Sequence, residues 1–76
     1  MKAKVGKKYT HYKNKKTYLV LHTGQHTETG EKMVVYEGQY NDPEYGQNPV
    51  WIRPIKMFEE QVLHNDILVD RFTIST

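Results

Sequence analysis

The chain has no cysteine, only one serine, and nowhere an apolar run near the roughly twenty residues that a membrane-crossing helix needs. Without cysteine there are no disulfides, no thiolate zinc ligands and no thiol nucleophile or redox couple. The lone serine, Ser75, sits at the tail, far from any base that would activate it. Neither a secretory leader nor a membrane span is expected, and a cytoplasmic location is the simplest expectation. Apolar residues never repeat with a helical period for more than about two turns, so long helices are excluded as well. With 76 residues there is room for one domain. A chain of this size buries only about 60% of its unfolded surface, so the core must be small and tightly made.

Charge is present but unevenly placed. Lys2, Lys4, Lys7, Lys8, Lys13, Lys15 and Lys16 precede any acid, whereas residues 17–76 hold four bases against nine acids. The expectation is a basic flexible arm over residues 1–8 and a single domain over 9–76.

Within that domain the strand signals are short and frequent. Tyr and Thr favour a pleated backbone in residues 9–13 (YTHYK), and Asn14 supplies a turn into 17–23 (TYLVLHT). Alternation there puts Tyr18, Val20 and His22 on one face. Residues 24–30 (GQHTETG) read as a glycine-bracketed loop, and 31–40 (EKMVVYEGQY) as the longest strand, in which Gly38 marks a bulge, a bend or a close backbone approach. Residues 41–49 (NDPEYGQNP) form a surface loop with Tyr45 at its centre. In 50–58 (VWIRPIKMF), Pro54 ends a strand and opens one helical turn. Val50, Ile52, Met57 and Phe58 are assigned to packing. Residues 61–64 and 67–74 then form a closing hairpin about a turn at 64–66.

These elements specify a mainly β fold: a small, strongly bent antiparallel barrel of the SH3-like kind, with one short helical turn near residues 54–59. An OB-fold wants a longer chain and a longer helix. An α+β roll follows only if residues 55–63 are one continuous helix.

In order, the blocks HYK (11–13), Tyr18-x-Val20, HTETGE (26–31), VVY (34–36), WIRPIKMF (51–58) and Arg71-Phe72 resemble a family of short bacterial proteins classed as a domain of unknown function. The pattern covers residues 9–72. Asn14 stands where that family usually has Gly, Asp70 stands where Pro often precedes the Arg-Phe pair, and the 41–49 loop is longer than in many relatives. The resemblance implies a bacterial single-domain protein and brings no reaction with it.

The residues themselves point first to Arg53. A guanidinium held between Trp51 and a rigid Pro is suited to a peptide carboxylate or a phosphate, with Trp51 as floor and Tyr36, His26, Glu28 and Tyr45 around it. The competing structural reading pairs Arg53 with Glu37 or Glu59. A second constellation, Lys7, Lys8, Tyr9, His11, Tyr12, Lys13, Lys15 and Lys16, interleaves cations and rings as single-stranded nucleic acid binders do. A third, His26 with Glu28 and Arg53, or His22, His26 and Glu28 around a metal, suits a small hydrolase or metal enzyme, although His and Glu in such a loop also bond its own backbone. Asp42-x-Glu44 lacks the further oxygens of a calcium loop. The favoured expectation is a non-catalytic binding or accessory module for an anionic group, with nucleic-acid binding as the alternative. No cofactor is called for.

Overall fold

The computed structural model describes residues 3–75. Along the chain run β1 (Lys8–His11), β2 (Thr17–Gln25), β3 (Lys32–Gly38), β4 (Asn41–Asp42), β5 (Gly46–Gln47), β6 (Val50–Pro54), α1 (Ile55–Glu59), β7 (Gln61–His64), β8 (Ile67–Asp70) and β9 (Phe72–Ile74). Five strands form one antiparallel sheet in the order β6-β3-β2-β1-β9, while β4-β5 and β7-β8 are separate two-stranded ribbons. The fold is therefore mainly β with one short helix, as the composition of strand signals predicts. Among the described residues no ladder joins β6 to β9, so the sheet is bent but open, not a hydrogen-bonded barrel. Along the chain, α1 and the β7-β8 ribbon lie between the two edge strands.

Register decides which side chains meet. Tyr9 lies opposite Tyr18, His11 opposite Phe72, Tyr36 between Val20 and Trp51, and Val34 opposite Arg53. Directly opposed residues share a face, and residues two apart on one strand do too. One face of the sheet thus collects Tyr9, His11, Tyr18, Val20, Val34, Tyr36, Trp51, Arg53 and Phe72. The core is drawn from this face and from α1: Tyr9, Tyr18, Val20, Val34, Tyr36, Ile55, Phe58 and Phe72, together with Ala3. Its centre is a parallel stack of Phe58 on Phe72, with ring centroids 4.0 Å apart and planes 7° from parallel. Tyr9 and Tyr36 meet Phe58 edge-on at 5.4 and 5.3 Å, and Tyr18 meets Phe72 at 5.6 Å.

Several sequence expectations change here. A bulge between Val20 and His22 inserts Leu21, so His22 pairs with Val35 and leaves the face of Tyr18 and Val20. Gly38 is not the bulge. It is a close approach, since a Cβ there would lie 2.5 Å from Cε1 of Tyr40, whose ring folds back over it. Strand alternation turns Val50 and Ile52 outward, 53% and 65% exposed, and Met57 is exposed on α1; of the four residues assigned to packing only Phe58 is buried. The 41–49 segment is a small ribbon whose turn is closed by Oδ1 of Asp42, which accepts from the amides of Glu44 and Tyr45. In the β1-β2 turn the left-handed residue is Lys15 (φ 62°), while the side-chain Oδ1 of Asn14 accepts from the Lys16 backbone amide at 2.8 Å. The 67–74 run divides at Arg71, sending β8 to pair with β7 and β9 to pair with β1. Both central residues of the β7-β8 turn, Asn65 and Asp66, have positive φ (53° and 64°), the geometry a two-residue hairpin needs.

The described part of the basic segment does not project as an arm. Ala3 is buried in the core, its amide donates to Oε2 of Glu59 at 3.0 Å, the Gly6 amide donates to the Val20 carbonyl, and the Val20 amide donates to that of Lys7. Residues 3–7 are thus pinned to β2 of the sheet and to α1. Lys2 lies outside the described residues, as does Thr76 at the end of the expected domain. No helix among the described residues is long and apolar enough to cross a membrane.

Truncating Phe58 removes half of the central stack, so Phe58→Ala is expected to lower stability by about 3–5 kcal/mol. Ile52→Thr, on the outward face, is expected to change it by no more than about 0.5 kcal/mol. Urea denaturation of the two variants checks both values.

Candidate functional site

At the end of the sheet where the β1-β2 turn lies, a cleft of about 290 Å³ opens between Trp51 and Arg53 of β6, Tyr36 of β3, Tyr18 of β2, His11 of β1 and Phe72 of β9, with Asn14 and Tyr40 at its rim. It occupies the gap left where β6 and β9 do not pair. Six of these eight residues carry aromatic rings. The walls are set by edge-to-face packing: Tyr18 against Tyr36 at 5.5 Å, Tyr18 against Tyr40 at 5.6 Å, and His11 against Phe72 at 5.0 Å.

Into this ring-lined space the chain directs hydrogen-bond donors. Nη1 of Arg53 and Nε1 of Trp51 are buried and make no hydrogen bond of good geometry among the described residues, their neighbouring acceptors being the Tyr36 hydroxyl for the guanidinium and the Tyr40 hydroxyl for the indole. Such groups cost roughly 1–3 kcal/mol each when left unmade, more when charged. Arg53 has no ion pair there either. Glu59 is taken by the Ala3 amide, and Glu37 accepts from the Gln39 side chain at 3.0 Å. The guanidinium lies 5.8 Å from the Phe72 ring centre. The expected pairing of Arg53 with Glu37 or Glu59 is not made, and it is Arg71 that forms an ion pair, with Glu60 at 2.6 Å.

The phenols form a relay. The Asn14 amide donates to the Tyr18 hydroxyl at 3.0 Å, and the Tyr18 and Tyr40 hydroxyls share a hydrogen bond of 3.3 Å. One O–H of the pair is therefore left to donate elsewhere. Burial and the bond to Tyr18 push the Tyr40 phenol up to about 12. Burial also raises Tyr36, against the opposing pull of the Arg53 guanidinium beside it. Both phenols stay protonated at neutral pH.

His11 is a neutral donor in this setting. Burial, then the positive charges of Arg53, Arg71 and Lys13, hold its pKa below the ordinary histidine value of 6.5. Nδ1 accepts from the Lys13 amide at 3.1 Å, which leaves the proton on Nε2.

Of the residues expected around Arg53, the fold brings Trp51 and Tyr36 into the cleft, and Tyr45 packs edge-on against Trp51 from outside at 5.2 Å. His26 and Glu28 sit exposed in the β2-β3 turn at the opposite end of those strands, where the Glu28 amide donates to Nδ1 of His26. Among the described residues no three His, Asp or Glu side chains come together as a metal site, so His22, His26 and Glu28 do not converge. In the basic and aromatic constellation, Lys7, Lys8, Lys13, Lys15 and Lys16 are exposed, but Tyr9 is only 3% exposed and offers no stacking surface, because its ring packs on Phe58. Tyr12 is half-buried between His11 and His64. Asn14, Tyr18, Tyr40 and Phe72 are cleft residues that the sequence reading did not assign to this site. The alternation of strand 17–23 places Tyr18 inward, but only register shows that it faces Gly38 and hence the Tyr40 ring.

Residues 7–74 match the family described as Protein of unknown function (DUF1653). The chain belongs to that family. No curated protein and no solved structure matches it. For this DUF1653 member the cleft geometry is therefore the ground on which function is argued.

Because His11 prefers its neutral form in the folded chain, the unfolded chain binds more protons just below pH 6.5, and stability rises with pH across that window. Acidification through 6.5 toward the lower folded pKa is expected to destabilise the protein until both states are protonated. The His11→Asn variant should lose less stability than the parent between pH 7.5 and pH 5.5, as read from thermal melts; equal losses would show that His11 contributes nothing to the slope.

Proposed function

We propose that this protein is a binding or accessory module whose cleft receives the anionic group of a ligand, a carboxylate or a phosphate, without transforming it. The observation that carries the reading is the pair of buried N–H donors, Arg53 Nη1 and Trp51 Nε1, which face the cleft with no partner in good hydrogen-bond geometry beyond the neighbouring Tyr36 and Tyr40 hydroxyls. A half-buried guanidinium whose Nη1 is shielded from water without a counter-charge is costly, and a bound anion offsets that cost while satisfying the indole as well. The Tyr18–Tyr40 pair and the Nε2–H of His11 add neutral donors around the same space. Nothing in this donor set activates a nucleophile: the phenols are raised, and no carboxylate lines the cleft. Nucleic-acid binding keeps its exposed lysines but has lost Tyr9 to the core.

The test uses acetate and inorganic phosphate as probes in a backbone amide NMR titration. One of the two is expected to shift the amides of residues 51–53 together with those of Tyr36 and Asn14. Arg53→Lys keeps the charge but loses the planar fork, and is expected to weaken that binding about tenfold, equivalent to about 1.4 kcal/mol. Amides 51–53 unmoved by either anion, or equal affinity in the lysine variant, would refute the reading.

A further inference from the structure

Resting on that reading, the place a ligand can occupy decides which charges it meets. The floor of the cleft is closed: Tyr18, Tyr36 and Phe72 are 5%, 4% and 6% exposed and pack on one another at 5.5 to 5.6 Å. A bound group therefore rests at the mouth, against the half-buried His11, Tyr40, Trp51 and Arg53. The β1-β2 turn lies at this mouth, since its Asn14 forms part of the rim. That turn also carries Lys13, Lys15 and Lys16, all exposed, and the Lys16 ammonium lies 4.2 Å from the centre of the Tyr40 ring.

The charges at the mouth do not cancel. Burial first, and then Arg53, Arg71 and Lys13, disfavour a proton on His11, which places these three cations within electrostatic reach of it. Lys16, at the Tyr40 ring, is the fourth. Against them stand Glu60, paired with Arg71 at 2.6 Å, and Asp42, whose charge is felt at Tyr40 and which itself feels Lys16. Four cations against two carboxylates leave a surplus of two positive charges. Neither Lys13 nor Lys16 is ion-paired among the described residues. A monocarboxylate balances one charge of the surplus. A phosphate monoester carries about −1.5 to −2 at pH 7 and balances nearly all of it.

The donors also come from two sides. Arg53 and Trp51 lie on β6 at one edge of the sheet, whereas His11, with its proton on Nε2, lies on β1 toward the other. A carboxylate offers its lone pairs close to one plane. Three phosphoryl oxygens are spread tetrahedrally and accept from donors on both flanks at once.

We propose that the mouth of the cleft binds a phosphate monoester as its dianion, the oxygens accepting from Arg53, Trp51 and His11, with Lys13 and Lys16 balancing the second charge from outside. Such a group comes either on a small phosphorylated molecule or on a phosphorylated side chain of another protein.

Calorimetric titration of the full chain at pH 7.5 and low salt tests this, with methyl phosphate, a blocked phosphoserine tripeptide, dimethyl phosphate, malonate and acetate as probes, and amide NMR locates each one. Methyl phosphate or the phosphopeptide is expected to bind at least about tenfold tighter than dimethyl phosphate and acetate, shifting amides 51–53. The tighter of the two indicates the source. Replacing Lys13 and Lys16 together by Gln is expected to weaken the monoester about tenfold and dimethyl phosphate by much less, with an unchanged melting curve. Dimethyl phosphate or acetate as tight as the monoesters, with amides 51–53 shifting, would overturn the dianion and leave the anion site intact. Malonate as tight as the monoesters would overturn the phosphoryl group. Unaltered monoester affinity in the double variant would overturn the part given to the lysines. If no probe moves amides 51–53, the anion site itself fails and this proposal with it.

Discussion

The stack of Phe58 on Phe72 is the contact on which the rest of the molecule depends. The open sheet ends in β6 on one side and β9 on the other, with no backbone hydrogen bonds between them. Phe58, four residues beyond β6 on α1, and Phe72, the first residue of β9, meet face to face across that gap. A barrel closes by pairing its edges; here two rings hold them at a distance that side chains can span but backbones cannot. Because the gap persists, a cleft remains beside the stack, and Arg53 of β6 faces Phe72 of β9 across it. The core and the candidate site are thus two consequences of one arrangement.

The site is built on strands and not on loops, which gives it rigidity. Trp51 and Arg53 share a strand and a face, and their strand pairs with β3 over the full run from Met33 to Glu37. Tyr36 lies in that same ladder, and Tyr18 in the one after it. The rim is less constrained. Tyr40 is positioned by lying over Gly38 and by the Tyr18 hydroxyl, and Asn14 by a turn whose following residue, Lys15, adopts a left-handed conformation. An anion bound as proposed would meet fixed donors below and adjustable hydroxyls above, an arrangement that would lower the ordering cost of binding.

How much of this was legible in the sequence follows from the physics of each step. The main strand positions, the helical turn after Pro54 and the turn at Asn65 and Asp66 rest on local chemistry and stand close to where it puts them, whereas the ribbon within 41–49 and the division of 67–74 at Arg71 do not show in it. Trp51, Arg53 and Tyr36 were recognisable as partners because residue types and alternation identify inward side chains. Ring neighbours across strands depend on register, and register depended on an extra residue: Leu21 reverses the face of His22, and no residue type announces that bulge. Barrel closure was a global inference from strand number, and the β6-β9 ladder it requires is absent among the described residues. The lysine run looked like an arm because charge marks solvent exposure, yet backbone amides within the run found partners on the sheet while the lysine side chains stayed outside.

The central claim is that Arg53 and Trp51 hold one anion between them. Selective NMR observation of the Arg53 guanidinium protons and the Trp51 indole Nε1 proton during titrations with acetate and inorganic phosphate tests it most directly. The account predicts that both signals move downfield along a single binding curve, with a common midpoint. An indole signal that stays in place while the guanidinium moves, or two curves with different midpoints, would contradict it.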